Sequence, residues 1–251
     1  MQSQQTHNDI NPFCAARHHL HRPSRPDEDR QTMYAKLPAA PLNASPVPHL
    51  TNLYHFDSDG DYGSRKYPGN CGGSLIKDLL LYFQPQNVFD PMTGSGTCRD
   101  VCNELNIECL SSDMHQGVDA CDATQFPREC FDFAWIHPPY WRQKLYTNDL
   151  RDLSRTPTLE AFLERYRLLI ENCAGALLPG GKLAILMGDY NDRGAGFVPL
   201  VYWTKRLSME IGLQQHCTDI IRFSHGASSS KKIYNSSFIP GLHDVCMIFE
   251  K

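Results

Sequence analysis

Two short stretches of this chain carry residue types at spacings that could do chemistry. The first is Asp90-Pro91-Met92-Thr93-Gly94-Ser95-Gly96-Thr97, which follows the apolar run Asn87-Val88-Phe89 and leads into CRDVCNEL, a stretch of helical spacing. Glycine turns sharply and, with no side chain, lets a ligand approach the backbone closely, so Gly94 and Gly96 suit a nucleotide-like ligand. The loop lacks the third glycine of a dinucleotide fingerprint and the Gly-Lys-Ser/Thr of a phosphate loop, which weakens both of those readings. The second stretch is His137-Pro138-Pro139-Tyr140, directly after the apolar run FDFAWI. A double proline is at least a rigid turn. With a histidine before it and an aromatic after it, the turn could also hold an acceptor nitrogen and a stacking ring at one place.

Both stretches need a frame, and the patterns on either side supply one. Ser74 caps the helical run SLIKDLLLYF, Asn87 to Asp90 is a short strand, and Ile107 to Leu110 is a second strand ending at Ser111-Ser112-Asp113. Phe131 to Ile136 is a third strand, ending at the tetrapeptide. Thr156 with Pro157 starts a helix whose apolar face is Leu159, Phe162, Leu163, Tyr166, Ile170, Cys173 and Leu177, and Pro179-Gly180-Gly181 stops it. Lys182 to Met187 is a buried strand followed by Gly188-Asp189-Tyr190-Asn191, VYWTKRLSMEIG is a helix, and Thr218 to Phe223 and Asp244 to Phe249 are the last strands. Strands alternating with helices predict an α/β fold with a mostly parallel sheet, helices on both faces and an antiparallel hairpin at one edge. Such sheets bind ligands beyond the carboxyl ends of their strands, where the polar residues above converge. Residues 1–50, rich in Pro, His, Gln and charge without sustained periodicity, predict an irregular or flexible arm, and 51–251 a single catalytic domain.

With its flanks, NVFDPMTGSGT resembles the cofactor loop of the S-adenosylmethionine-dependent amino-methyltransferases, the DNA adenine-N6 and cytosine-N4 family. The usual form there is an apolar strand followed by D-P-F-x-G-S-G-T, and Met92 stands in place of the aromatic. His137-Pro138-Pro139-Tyr140 resembles the catalytic loop of the same family, D/N/S-P-P-Y/F/W. The resemblance covers residues 65–250 and implies a Rossmann-like class I methyltransferase fold with a seven-stranded sheet, and S-adenosylmethionine as cofactor. It implies that Pro91, Met92, Gly94, Ser95, Gly96 and Thr97 cradle the cofactor and that Asp90 faces its methionine part. Asp113 would accept from both ribose hydroxyls, since one carboxylate can satisfy two neighbouring donors. Asp122 would accept from the adenine amino group, with Asp119 as its rival. The stretch YPGNCGGSLIKDLL is similar to the segment preceding the family's first helix, so Gly69, Asn70 and Cys71 would line the methionine end.

The implied reaction explains the residue types. The exocyclic nitrogen of a base is a poor nucleophile because its lone pair is delocalised into the ring, and two acceptors aimed at its two protons draw it toward tetrahedral geometry. In the resembling family these are the first side chain of the loop and the carbonyl of the first proline, here His137 and Pro138, while the aromatic, here Tyr140, stacks on a base flipped from the duplex. Asp or Asn usually accompanies adenine at the first position and Ser cytosine, so His137 leaves both bases open. A neutral imidazole has one acceptor nitrogen and a protonated one has none, which predicts activity falling as pH drops through about 6.5.

The substrate side is less sharply marked. Trp141, Arg142 and Lys144, with Tyr146 and Arg151, form a basic and aromatic cluster just after the catalytic loop. Lys231, Lys232 and Tyr234, in SHGASSSKKIYNSSFIPG, could lie over a nucleic-acid backbone or simply form a solvated hairpin. The insertions at about 141–158 and 224–241 are too short for a large recognition domain, so a homodimer or a specificity partner could contribute. With 24 Lys+Arg against 28 Asp+Glu, a formal charge of -4, the chain has no bulk attraction for a polyanion, and DNA binding must come from a local patch. No run approaches the ~18 apolar residues of a membrane span and the N-terminus lacks a secretory core, which predicts a cytoplasmic protein without membrane contact. The 10 cysteines include no C-x-x-C pair and predict buried free thiols. Cys98 and Cys102 would share a helical face and could bind metal with a third ligand, but zinc sites usually show paired tight spacings, so no metal is expected. Two alternatives stand beside the DNA reading: an RNA guanine-N2 methyltransferase, which usually carries an added RNA-binding domain, and a non-catalytic nucleic-acid-binding partner of a methyltransferase.

Overall fold

Alternate residues of the apolar segments face opposite sides of one sheet in the computed structural model of the chain, which describes residues 44–55, 60–223, 239 and 241–251. In chain order the elements are β1 (Leu53–Tyr54), α1 (Ser74–Phe83), β2 (Asn87–Asp90), α2 (Thr97–Leu105), β3 (Glu108–Ser111), β4 (Phe131–Ile136), α3 (Leu159–Ala176), β5 (Leu177–Met187), β6 (Tyr190–Asp192), β7 (Gly196–Val198), α4 (Leu200–Glu210), β8 (Gln214–Gln215), β9 (Ile220–Phe223) and β10 (His243–Glu250). On one face Val88, Phe133, Trp135, Ala184, Leu186, Cys246 and Ile248 pack with α1 and α2. On the other, Phe89, Ala134, Ile136, Ile185, Met187, Val245 and Met247 pack with α3 and α4. The period of two along each strand thus builds a three-layer, doubly wound, Rossmann-like fold.

The sheet runs β1-β9-β10-β5-β4-β2-β3, with β8 also paired to β10. The pairs β2–β3, β2–β4, β4–β5 and β1–β9 are parallel, and β10 is antiparallel to β5, β8 and β9. Among the described residues the sheet has eight strands where seven were predicted, and the predicted edge hairpin, β9 with β10, is flanked on one side by β5 and on the other by β1. Two-residue strands such as β1 and β8 carry too few residues to show a period in sequence. From β2 the chain pairs β3 on one side and then β4 on the other. That change of direction opens a crevice past the carboxyl ends of β2 and β4.

Helix ends differ from the sequence pattern in instructive ways. The cap of α3 is Thr158 rather than Thr156, its side chain accepting from the Ala161 N–H at 3.2 Å. Pro179-Gly180-Gly181 does not stop α3. The helix passes into β5 at Leu177, and the Pro-Gly-Gly segment lies within that strand, where pairing with β4 jumps from Phe131↔Leu177 to Phe133↔Lys182. A glycine-rich bulge re-aims the strand instead of ending the helix.

Residues 1–43 of the predicted arm lie outside the described residues, as do most of 224–241, including Lys231, Lys232 and Tyr234. The end of that arm is packed rather than free: Val47 is 1% exposed, and His49 Nε2 lies 2.9 Å from Asp78 Oδ2. The nine cysteines among the described residues are free thiols. No helix among them is long and apolar enough to cross a membrane.

Candidate active site

The ends of β2 and β3 are stitched by the glycine loop. Thr93 N–H donates to the Ser112 carbonyl and Ser112 N–H to the Asp90 carbonyl, both at 2.9 Å. Gly94 N–H donates to Asp113 Oδ2 at 3.0 Å, while His115 N–H donates to Asp113 Oδ1 at 2.9 Å. One carboxylate therefore holds the loop and its own turn, and its remaining lone pairs stay open to further donors. Gly94 has φ 52° and Gly96, the residue before α2, φ 88°. A Cβ on Gly94 would lie 2.8 Å from the Tyr67 ring, so both the backbone conformation and the space above it require glycine there.

Asp90 closes β2, buried, with Oδ1 accepting from Met92 N–H at 3.3 Å. Burial holds its carboxyl well above the usual range, and Cys109 and then Asp113 add to the effect. A cationic ligand beside these two acids would relieve that tension.

At the end of β4 the double proline turns the chain so that His137 Nε2 lies 3.2 Å from the Tyr140 hydroxyl. Burial lowers the half-buried His137 imidazole to about 4, so it is neutral across the ordinary pH range. The Tyr140 ring packs over Gly188 at the end of β5, where a Cβ would approach it to 2.8 Å. Below both lies a buried ion pair, Arg222 Nε to Asp244 Oδ1 at 2.8 Å, and Arg222 Nη1 also donates to the Cys71 carbonyl at 3.1 Å. This pair ties β9 and β10 to the Gly69–Cys71 segment.

One open cleft collects most of the predicted residues. Its floor is Asp90, Pro91, Met92, Gly94, Ser95 and Thr97. Gly69, Asn70 and Cys71 line one wall, and Asp113, His137 and Pro139 line others. Asn70 is fixed there by bonds to Gly72 N–H at 2.6 Å and to the Thr97 hydroxyl at 3.3 Å. Gly96 does not line the cleft, and neither do the buried Pro138 nor Tyr140, which stands next to His137.

Other predicted residues are placed elsewhere. Asp122 lies outside the cleft, its carboxylate capping a short turn by accepting from Thr124 N–H at 3.0 Å and Gln125 Nε2 at 2.9 Å. Its rival Asp119 does line the cleft and is paired with Arg165 at 3.0 Å. Trp141 is a core residue, 2% exposed, its indole N–H donating to the Thr156 carbonyl at 3.0 Å, and so has no ring face to offer a base. Arg142 lies over the Trp141 ring and makes a two-pronged contact with Asp192 at 3.0 and 2.7 Å. Lys144 is exposed and off the cleft.

The structure adds a feature that no short-range pattern signals. Tyr67 and Tyr146 stack with centroids 5.9 Å apart and form an aromatic wall facing the glycine loop, with Met114 and Val118 also lining the cleft. Tyr146 appeared in sequence only as one member of a basic and aromatic cluster.

No family model and no curated protein matches the chain. Among solved structures it is similar to a candidate DNA modification methylase from Thermus thermophilus complexed with S-adenosyl-L-methionine, at 22% identity over 53% of this chain and 53% of that one, TM-score 0.39. It is also similar to a SAM dependent methyltransferase from Archaeoglobus fulgidus, at 16% identity over 70% of this chain and 93% of that one, TM-score 0.42. TrmN from Thermus thermophilus is similar at 18% identity over 70% of this chain and 48% of that one, TM-score 0.40. The chain spans about half the length of the first of these.

Proposed function

We propose that the chain is an S-adenosylmethionine-dependent methyltransferase acting on the exocyclic amino group of a base in nucleic acid, DNA in the first place and adenine N6 or cytosine N4 as the atom. The observation that carries the reading is the convergence of Asp90, Asp113 and His137 on one cleft at the carboxyl ends of β2 and β4. The donor set fits the cofactor: buried acid for a cationic group, an acceptor carboxylate for a diol, and a glycine loop that admits close approach. Bound there, the cofactor supplies a methyl group activated by a sulfonium.

The chain's own residues do the rest. The neutral imidazole of His137 accepts a hydrogen bond from one N–H of the amino group and the Pro138 carbonyl accepts one from the other, which localises the nitrogen lone pair. Tyr140 stacks on the base and offsets the stacking lost on flipping, an effect of about 1–3 kcal/mol. Once the new N–C bond exists the nitrogen is strongly acidic, so a weakly basic imidazole suffices to take the proton and pass it to water.

The test is transfer of labelled methyl from S-adenosylmethionine to unmethylated plasmid DNA and to unmodified RNA, followed by nucleoside digestion and mass spectrometry. N6-methyladenine or N4-methylcytosine in DNA is the expected result and identifies the base. Label confined to RNA guanine overturns the DNA assignment, and tight cofactor binding with no label on either overturns nucleic acid as the substrate of the isolated chain.

A further inference from the structure

Cys98, Cys102 and Cys109 form a knot of sulfur that the proposed methyl transfer does not use. Cys98 and Cys102 sit one turn apart on α2, so helical periodicity puts both on the face turned to the sheet, and Cys109 joins them from β3. The three Sγ atoms all lie within 4.8 Å of one another. A cation held at about 2.3 Å by each of three thiolates needs sulfurs roughly 4 Å apart, so the spacing is close to that of ligands around one centre.

The surroundings favour a soft cation. The three thiols belong to the apolar core on the α1–α2 side of the sheet, with Val88, Val101 and Ile107. Cys98 and Cys102 are buried, yet Cys109 is only half-buried and Cys98 lines the cleft, which leaves an ion a way in. Among the described residues the group has three members, with no His, Asp or Glu at the same range. Structural zinc sites close with four ligands, whereas thiolates in a group of three suit Cu(I) and ions like it. Each thiol that binds gives its proton to water; Cys98, in the first turn of α2, lies toward the positive end of the helix dipole, and the cation's own charge offsets the nearby carboxyl of Asp90, which opposes thiolate formation.

We infer that Cys98, Cys102 and Cys109 are a three-thiolate binding site for a soft, thiophilic cation of the Cu(I) class. The site stands behind the glycine loop and independently of whether the cleft in front of it transfers methyl groups.

The experiment is anaerobic titration of the reduced full chain with Cu(I) against a competing chelator, with X-ray absorption at the copper edge. Mass-spectrometric mapping then compares alkylation of the metal-free and the Cu(I)-loaded chain in mild denaturant, where buried thiols open to the reagent unless a bound ion holds them. One equivalent with three sulfur neighbours is expected, protecting Cys98, Cys102 and Cys109 but leaving Cys71, Cys130 and Cys217 reactive. Cys102→Ser and Cys109→Ser should each weaken binding at least 100-fold, and Cys130→Ser should not. Because the mapping uses the wild-type chain, it decides the matter even if the serine variants fold poorly. Protection of other cysteines, a two-sulfur neighbourhood, or tighter four-coordinate capture of Zn(II) by the same three thiols would overturn the inference.

Discussion

His137 Nε2 and the Tyr140 hydroxyl are 3.2 Å apart. The ring nitrogen proposed to accept a hydrogen bond from the base amine is thus already hydrogen-bonded to the aromatic residue proposed to stack on that base. In the tautomer that carries its proton on Nδ1, Nε2 accepts from the Tyr140 hydroxyl, and nucleic acid must compete with Tyr140 for it, which couples entry of the base to movement of the ring.

Tyr140→Phe keeps the stacking face and removes the competitor. Methyl transfer by this variant should stay within about threefold of wild type, whereas Tyr140→Ala should lose roughly 10- to 100-fold in kcat/KM for DNA, the value of one base–aromatic stack. A Tyr140→Phe variant as damaged as Tyr140→Ala would mean that the hydroxyl itself takes part in the chemistry.

The acid limb of activity follows from burial. His137 is lowered from the usual 6.5 to about 4 chiefly by desolvation, with Asp244 opposing and Arg222 assisting, so it remains an acceptor well below pH 6.5. This moves the sequence-based expectation: kcat/KM should hold from pH 7 to about 5 and fall toward 4. Between 6.5 and 4 the unfolded chain binds a proton that the folded chain does not, so native stability should decline as pH falls through that window. His137→Asn keeps an acceptor but cannot titrate. It should retain activity without the acid limb, and His137→Ala should lose activity at every pH. Rate profiles and urea midpoints from pH 4 to 8 measure both effects.

Two of the candidate cofactor acids, Asp113 and Asp122, separate by calorimetry with S-adenosylmethionine. Asp113→Ala removes an acceptor that faces the cleft and also releases Gly94 N–H, and cofactor affinity should fall at least tenfold, about 1.4 kcal/mol. Asp122→Ala, whose carboxylate only caps its own turn, should change affinity less than twofold. Equal losses in the two variants would place Asp122 against the ligand after all.

Trp141 should behave as core. Trp141→Ala removes a buried ring and should cost about 3–5 kcal/mol of folding stability, read as a lowered urea midpoint. Trp141→Phe leaves the Thr156 carbonyl without its indole donor and should lower the melting temperature while methyl transfer per folded molecule stays near wild type. A variant that melts normally but loses DNA affinity would return Trp141 to the substrate surface.

The elements that place the cleft were legible because each carried a strong local signal. The apolar runs of β2, β4 and β5, the glycine loop and the double proline are all properties of a few adjacent residues. The β6–β7 hairpin was not legible, since its strands are three residues each and its hold on Arg142 spans fifty positions of sequence. Pro179-Gly180-Gly181 misled because the same residues that end helices also make bulges, and pairing with β4 and β10 decides between the two.

By itself the sequence determined the order of six strands, β2 to β5 with β9 and β10, and of the four helices, together with the glycine loop at the end of β2 and the His-Pro-Pro-Tyr turn at the end of β4, because periodicity and backbone permissiveness act over a few neighbouring residues. Only the tertiary structure decided that Asp119 rather than Asp122 lines the cleft, that Trp141 is core, that Tyr67 and Tyr146 share a wall and that a third sulfur, Cys109, closes on Cys98 and Cys102. Which side chain is buried, paired or left facing a cleft depends on what the rest of the fold packs against it, and parallel strands with crossover helices bring those partners from far along the chain.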